Sequence, residues 1–587
     1  MKYNKILKNG VLSLLLAGSL ACTEMPVRAA DLTEGNAPWE DSGEFTDGDG
    51  EETSLENEDS SPDAEEFLSD ESEDGFSDGE IQEQTVGFGS LDPEDPSPET
   101  ENFREENSLT EAEMEAQLEP IRELEPLSYL DPPSGNGSGE TGSVGAARAA
   151  SYPAKYDPRS SLSSPVRNQK PSNMCWAYTL AANLEISFRK AGTGLFDLSE
   201  EHLAYFFANR KNDPLGNTPN DRNNVLHDYR EGGNQTLAAL FLSTWSGMVL
   251  ESQVPYETDA DHTLDSDKVP EAGMAYKTTA YLENAAFSSY SVNNIKSLIS
   301  EYGSASVSFG MYDSYYNPYT YAYSYPGGAG VNHAVTLVGW DDSFSRENFN
   351  DECNVTSDGA WIARNSWGAD WGDSGYFYIS YQNKSNYNIV ACEAVTNPQY
   401  RNNYFYDGSS ALSKLKLYPS GSGTISSVAN VFQAKAGNGK GEALGEVVLA
   451  TYTDEGSYSI QVYTNLTDRS NPVSGTPAYS TPVRFYQEHA GISTVQVPEV
   501  NLLDGTLYSV VITNVGSGAV DYLCETNSAY EWVEFHADLK ANQSFCYHEK
   551  SGWNDFSKTS PSACARIKAH TRTLSSAVTV QKPSSLA

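Results

Sequence analysis

Basic residues are scarce in this chain: 37 lysines and arginines stand against 82 aspartates and glutamates, a formal charge of −45 over 587 residues. No basic stripe is present, which argues against nucleic acid as a partner. Cysteine is scarce as well. There are seven (Cys22, Cys175, Cys353, Cys392, Cys524, Cys546 and Cys564), and no two form a CxxC pair. So few in so long a chain argue against a disulfide scaffold, and the missing spacing argues against a cysteine-based zinc site. No metal or cofactor is expected, and any disulfide pairing is not readable from sequence. Long apolar runs are also lacking. Val11 to Ala21 is the longest, too short to cross a bilayer as a helix, so no transmembrane segment is expected.

That short run has another reading. Lys2, Lys5 and Lys8 precede it and Val27-Arg28-Ala29 follows it, the order of a positive segment, an apolar core and a small-residue cleavage site. Residues 1–29 are therefore read as a signal peptide, and the protein as secreted or cell-surface associated. Ser19-Leu20-Ala21-Cys22 is a poor lipoprotein signal. The acidic charge is concentrated just beyond: 37 of the 82 acidic residues lie in 31–140, against only Arg104 and Arg122. Such a segment buries too little apolar surface to offset chain entropy, so residues 30–150 read as an acidic disordered pro-segment and linker. Within it, Met114, Leu118 and Ile121 fall at helical spacing before and after Pro120, either the remnant of an inhibitory helix or a transient one.

Order is expected from about Tyr152. Trp176, Leu180, Leu184 and Phe188 recur at steps of four, predicting a helix over 175–190 with one buried face. Ser199 caps a second helix with Glu200 and Glu201 in its first turn. Strand-like segments follow at Ser304–Phe309, Ala334–Trp340, Ala360–Arg364 and Tyr376–Tyr381. Helices first and strands later predict an α+β domain over 151–396. From 397 to 572 there is no convincing helix. Short runs such as Val447–Tyr452, Tyr458–Tyr463 and Tyr508–Thr513 alternate with turn residues, predicting an all-β sandwich. Residues 573–587 read as a tail.

Cysteine attacks as a thiolate, which a helix N-terminus and a nearby imidazolium both favour. Cys175 stands at a predicted helix start, after Pro171. Gln169 lies six residues before it, Trp176 follows it, Asn332-His333-Ala334-Val335 enters a later strand, and Asn365-Ser366-Trp367-Gly368 comes after. This ordered set resembles the papain family of cysteine peptidases, with Leu198-Ser199-Glu200, Gly232-Gly233 and Val254-Pro255-Tyr256 extending the likeness across about 152–395. The resemblance implies a helical half and a β-barrel-like half. It implies Cys175 as nucleophile, His333 as its proton partner and Asn365 as orienter of the imidazole. Gln169 and the Cys175 N–H would hold the oxyanion. Gly232 and Gly233 would bind substrate backbone, and Trp367 would shield the His333–Asn365 bond. Ser308 would line a roomy pocket for the second residue before the cut.

The sequence departs from the family in places. Only Cys175 and Trp176 match the five-residue signature around the nucleophile, and the neighbouring disulfide has lost both halves. Seven tyrosines crowd residues 312–325, either as substrate contacts or as a self-packed loop. Residues 400–572 resemble the lectin-like β-sandwich that follows papain-type peptidases in some Gram-positive bacteria, through Tyr404–Gly408, Ala429–Phe432 and Ser544-Phe545 leading to Trp553. The expected function is a secreted cysteine endopeptidase made as a zymogen, with proteins or peptides as substrates and a cell-surface glycan as a candidate partner of the C-terminal domain. The alternative is a carbohydrate-binding adhesin whose peptidase domain is vestigial or only self-processing. Acyl transfer to an amine would use the same residues.

Overall fold

The computed structural model describes residues 124–134, 151–256 and 269–575, apart from positions 163, 329, 438 and 560. The signal peptide, most of the acidic stretch, the Met114–Ile121 helix and the tail beyond 575 lie outside the described residues. Four helices matter here: α1 (Cys175–Lys190), α2 (Glu200–Ala208), α3 (Gln235–Leu242) and α4 (Val292–Tyr302). The strands used below begin with β1 (Leu124–Pro126), β2 (Arg222–Val225), β3 (Tyr281–Ser288), β4 (Ala305–Phe309) and β5 (His333–Asp341). They continue with β6 (Ala360–Arg364), β7 (Tyr376–Ser380) and β8 (Tyr387–Val395).

The first domain is α+β. Helix α1 has the predicted bounds, but 14 of its 16 side chains are buried rather than one face. It lies between α2 and α3 on one side and strands β5 and β8 on the other, so its polar positions are enclosed too. Ser199 caps α2 by accepting a hydrogen bond from the His202 N–H. Strands β4, β5, β6 and β7 pair antiparallel in that order, while β8 pairs with β3 and β4. Between them sits a core that includes Phe309, Leu337, Trp340, Trp361 and Phe377.

The second domain is all β: β9 (Ser413–Leu417), β10 (Ile425–Gln433), β11 (Glu442–Thr451), β12 (Gly456–Thr464), β13 (Ala490–Leu502) and β14 (Leu507–Asn514). It is completed by β15 (Val520–Thr526), β16 (Val533–His536), β17 (Ser544–His548), β18 (Gly552–Asp555) and β19 (Ile567–Thr573). Strands β12, β14, β10, β17 and β18 form one antiparallel layer. Strands β9, β15, β11, β13 and β19 form the facing one. Tyr458, Ile460 and Val462 point inward from β12 at period two and meet Leu415, Val447 and Leu449, the packing of an aligned sandwich. Among the described residues, no helix is long and apolar enough to cross a membrane, and none of the cysteines is disulfide-bonded.

Two features were not visible in the sequence. The domains share a sheet: Ala490, Gly491 and Ile492 of β13 pair with Phe287, Ala286 and Ala285 of β3. A Cβ on Gly491 would lie 1.9 Å from the Ala285 carbonyl oxygen, so glycine is what lets the strands close. Strand β16 likewise pairs with β2, and Trp532 stacks on Phe207. The second feature corrects the reading of residues 30–150 as disordered throughout. Within that span, β1 pairs with β9, Leu124 opposite Leu415, and Leu127 and Tyr129 are buried in the core that α1 and α2 share with Trp532. The acidic run has its apolar residues widely scattered, whereas residues 124–130 bring three leucines and a tyrosine together.

Candidate active site

Cys175 is the first residue of α1, and Met174 at the N-cap offers no side-chain cap. The Ala177 N–H, in the first turn, donates to the Met174 carbonyl at 2.8 Å. Cys175 is buried against Ala334, one residue into β5. That strand begins at His333, whose Nε2 lies 2.8 Å from Asn365 Oδ1. The amide oxygen only accepts, so Nε2 carries the hydrogen. Asn365 follows the last residue of β6 and is held by its own N–H donating to the Gly375 carbonyl. Trp367 stacks on the imidazole, with centroids 4.7 Å apart and planes at 23°, and Trp371 meets Trp367 edge-on. Both the His333 and Asn365 side chains are buried.

Gln169 is fixed from several sides. Its Nε2 donates to the Ser172 carbonyl at 2.9 Å, leaving a second hydrogen on the same nitrogen. Its Oε1 accepts from the Ser366 hydroxyl at 2.6 Å, and its carbonyl accepts from the Tyr256 and Ser172 hydroxyls. The Ser172 carbonyl, which only accepts, sets which end of the Gln169 amide is the donor; Ser366, which sequence reasoning passed over inside the Asn365–Gly368 motif, holds the other end in place. Ser366→Ala is expected to lower kcat about tenfold while leaving KM nearly unchanged, as loss of a group that orients an oxyanion donor; steady-state kinetics on a peptide substrate checks it.

The Gly pair is a close approach. A Cβ on Gly233 would lie 2.3 Å from the Trp176 ring, and Gly232 has φ +139°. Ser308 is buried, pairs with Ala334 across the strands and donates to Gln235 Oε1 at 3.0 Å. The tyrosine loop is largely packed: Tyr312 meets Tyr325 at a tilt of 53°, Tyr316 stacks on Trp371 outside the loop, and Tyr323 is fully buried. Tyr319 is the exposed exception at 92%.

Behind Asn365 lies a buried charged cluster. Arg167 bridges Glu185 at 2.7 Å and Glu200 at 3.0 Å, and also pairs with Asp197. A cavity of about 10 Å³ bounded by Glu200, Arg364 and Asn365, among others, joins this cluster to the site. Burial outweighs Arg167 and pushes the Glu200 carboxyl up to about 8; burial likewise lifts Glu251 to about 7. The folded protein then holds protons that the unfolded chain releases. This stabilising contribution is complete below the ordinary carboxyl value and is lost as pH rises through about 8. Thermal unfolding midpoints are expected to fall from about pH 5 to about pH 9, and Glu200→Gln to flatten that slope.

Comparison with known proteins agrees with this architecture. The model of the papain family cysteine proteases matches residues 152–397, and that of the lectin-like domain matches residues 404–571. A digestive cysteine proteinase of the lobster Homarus americanus is 24% identical over 258 residues, 43% of this chain and 69% of that one. The viral cathepsin of a Cydia pomonella granulosis virus is 27% identical over 219 residues, 37% of this chain and 53% of that one. The chain thus spans only about half the length of several curated relatives. Among solved structures, the cysteine protease and lectin-like domains of Cwp84, a surface layer associated protein of Clostridium difficile, superpose with a TM-score of 0.60. That match is 22% identical and covers 72% of this chain and 90% of the other. Fold, family models and relatives converge: the chain carries a papain-family cysteine peptidase domain followed by a lectin-like β-sandwich domain.

Proposed function

We propose that this protein is a secreted cysteine endopeptidase that hydrolyses peptide bonds through Cys175, His333 and Asn365, with Gln169 as oxyanion donor. The observation that carries the reading is the His333 Nε2 to Asn365 Oδ1 hydrogen bond of 2.8 Å, set beside a cysteine at a helix start. The Cys175 sulfur attacks the scissile carbonyl as a thiolate. The oxygen that becomes negative is held by the remaining Gln169 Nε2 hydrogen and the Cys175 N–H. His333 gives its Nδ1 proton to the leaving amine, so the C–N bond breaks and a thioester remains. Water then enters, His333 takes its proton, and the acid leaves as the C–S bond breaks. Asn365 keeps the imidazole in one tautomer throughout. Trp367, stacked on the ring, limits access of water to the His333–Asn365 bond. Gly232 and Gly233 leave the backbone open to an added substrate strand.

Export by residues 1–29, residues 30–150 as a pro-segment, a peptidase domain at 151–396, a sandwich at 397–572 and a tail at 573–587 complete the proposal. Its likeness to the surface layer associated Clostridium difficile protein supports an extracellular setting. Substrates are proteins or peptides, and the C-terminal domain is proposed to engage a surface glycan. The test is alkylation: iodoacetamide should label Cys175 in proportion to the loss of hydrolysis of an unfolded protein, and a peptide substrate should slow both. Labelling of Cys175 with activity intact would overturn the reading.

A further inference from the structure

The C-terminal domain contains a cavity of about 260 Å³ that the peptidase chemistry does not use. It opens beside β18, the edge strand of the outer layer. Ser470, Asn542, Trp553, Asn554, Asp555 and Lys558 line it. Its floor is rigid. Trp553 is half-buried, stands opposite Tyr547 in the β17–β18 register, meets that ring at 5.2 Å and rests on the Val431, Leu466 and Phe545 cluster. Its wall is rigid too. Asp555 accepts the Asn542 N–H at 2.8 Å and the Ser557 N–H at 3.0 Å, and the Asn542 carbonyl accepts from Arg469 at 3.2 Å.

With its backbone groups satisfied in this way, Asn542 keeps its side-chain amide for other partners. Among the described residues, no hydrogen bond is made by that amide, by Asn554 Oδ1 or by the Trp553 indole N–H. The site thus offers one aromatic surface, donors and acceptors of both kinds, and a single lysine at the rim.

These features select among ligands. An apolar ligand would cover the amides without pairing them, leaving polar groups unsatisfied as they are buried. A free anion would face the Asp555 carboxylate with only Lys558 to offset it. A neutral sugar meets every requirement: its C–H face packs on the indole, and its hydroxyls both donate and accept. The volume lies just under the ~300–1,000 Å³ of pockets for drug-sized ligands, which suits one ring. We infer that the cavity beside Trp553 is a binding site for a neutral saccharide unit, the point at which the C-terminal domain grips glycan. This rests on the glycan-partner reading above and gives it a location.

The experiment uses the full-length Cys175→Ala protein, so that its readout is independent of peptidase activity. Tryptophan fluorescence and ligand-observed NMR are recorded with glucose, galactose, mannose, N-acetylglucosamine, N-acetylgalactosamine and, separately, inorganic phosphate. At least one sugar is expected to bind with Kd on the order of 1 mM. Trp553→Ala and Asn542→Ala should each weaken it about tenfold or more, with Trp553→Phe retaining part, at unchanged melting temperature. Sugar binding that survives Trp553→Ala would overturn the site while leaving the glycan reading intact. Binding by none of the sugars would overturn both, and phosphate binding lost in Lys558→Ala would overturn the neutral-sugar assignment.

Discussion

Cys175→Ala is expected to lower kcat on the order of 10⁶-fold, to the level of uncatalysed hydrolysis plus whatever the oxyanion site alone provides. Among the described residues the other thiols lie in separate cores, Cys353, Cys392 and the three of the second domain each away from the Cys175–Ala334 contact, and burial pushes the Cys353 and Cys392 thiols up, away from thiolate. Neighbouring changes should rank below it. Gln169→Ala removes one oxyanion donor, worth about 10²–10³ in rate. Asn365→Ala loosens the imidazole but leaves the nucleophile and its base in place, so its loss should be smaller than that of His333→Ala. The series is read as kcat and KM for one peptide substrate, with circular dichroism as the check on folding. Residual hydrolysis by Cys175→Ala beyond about a thousandth of the parent would reject the assignment.

The second large effect concerns residues 124–134. Leu127 and Tyr129 are buried to 6% and 5% exposure in the core beneath α1 and α2. Tyr530 donates to the Leu127 carbonyl at 2.6 Å, Trp532 to the Tyr129 hydroxyl at 3.2 Å, and Tyr452 to the Asp131 carbonyl at 2.7 Å. Ser134 closes the segment with a 2.9 Å hydrogen bond to Asp521. Leu127→Ala and Tyr129→Ala should each cost about 2–5 kcal/mol, read as a shift in the urea midpoint. The same contacts bear on maturation. Cleavage of the matured protein anywhere in 135–150 should leave 124–134 attached through natively folded purification and release it only in denaturant. Mass spectrometry under the two conditions decides this, and loss of the segment without denaturant would refute the expected anchoring.

Much of the site was legible in sequence because its chemistry is written in local motifs. The start of α1 at Cys175, the entry of His333 into a strand and the Asn365–Trp367 turn each rest on a few neighbouring residues. Strand segments in the second domain were legible through period-two burial, as in Tyr458, Ile460 and Val462. What could not be read is what depends on distant partners. The Ser366–Gln169 contact joins residues 197 apart in the chain. Nothing local to Leu124–Pro126 indicates that its partner is Ser413–Leu417, and four apolar side chains beside so acidic a run are too few to predict burial. The full enclosure of α1 is of the same kind, since its polar face is covered by elements that arrive later in the chain.

The pairing of β3 with β13 means that the seam between the domains is hydrogen-bonded backbone as well as a side-chain interface. A peptidase domain ending near 397 would leave Ala285, Ala286 and Phe287 with exposed N–H and carbonyl groups along an apolar edge, a template for another chain. The sandwich therefore acts as an intramolecular edge cap. The segment boundary in the chain is crossed by a continuous sheet, and a piece that covers the β3 edge runs through both domains.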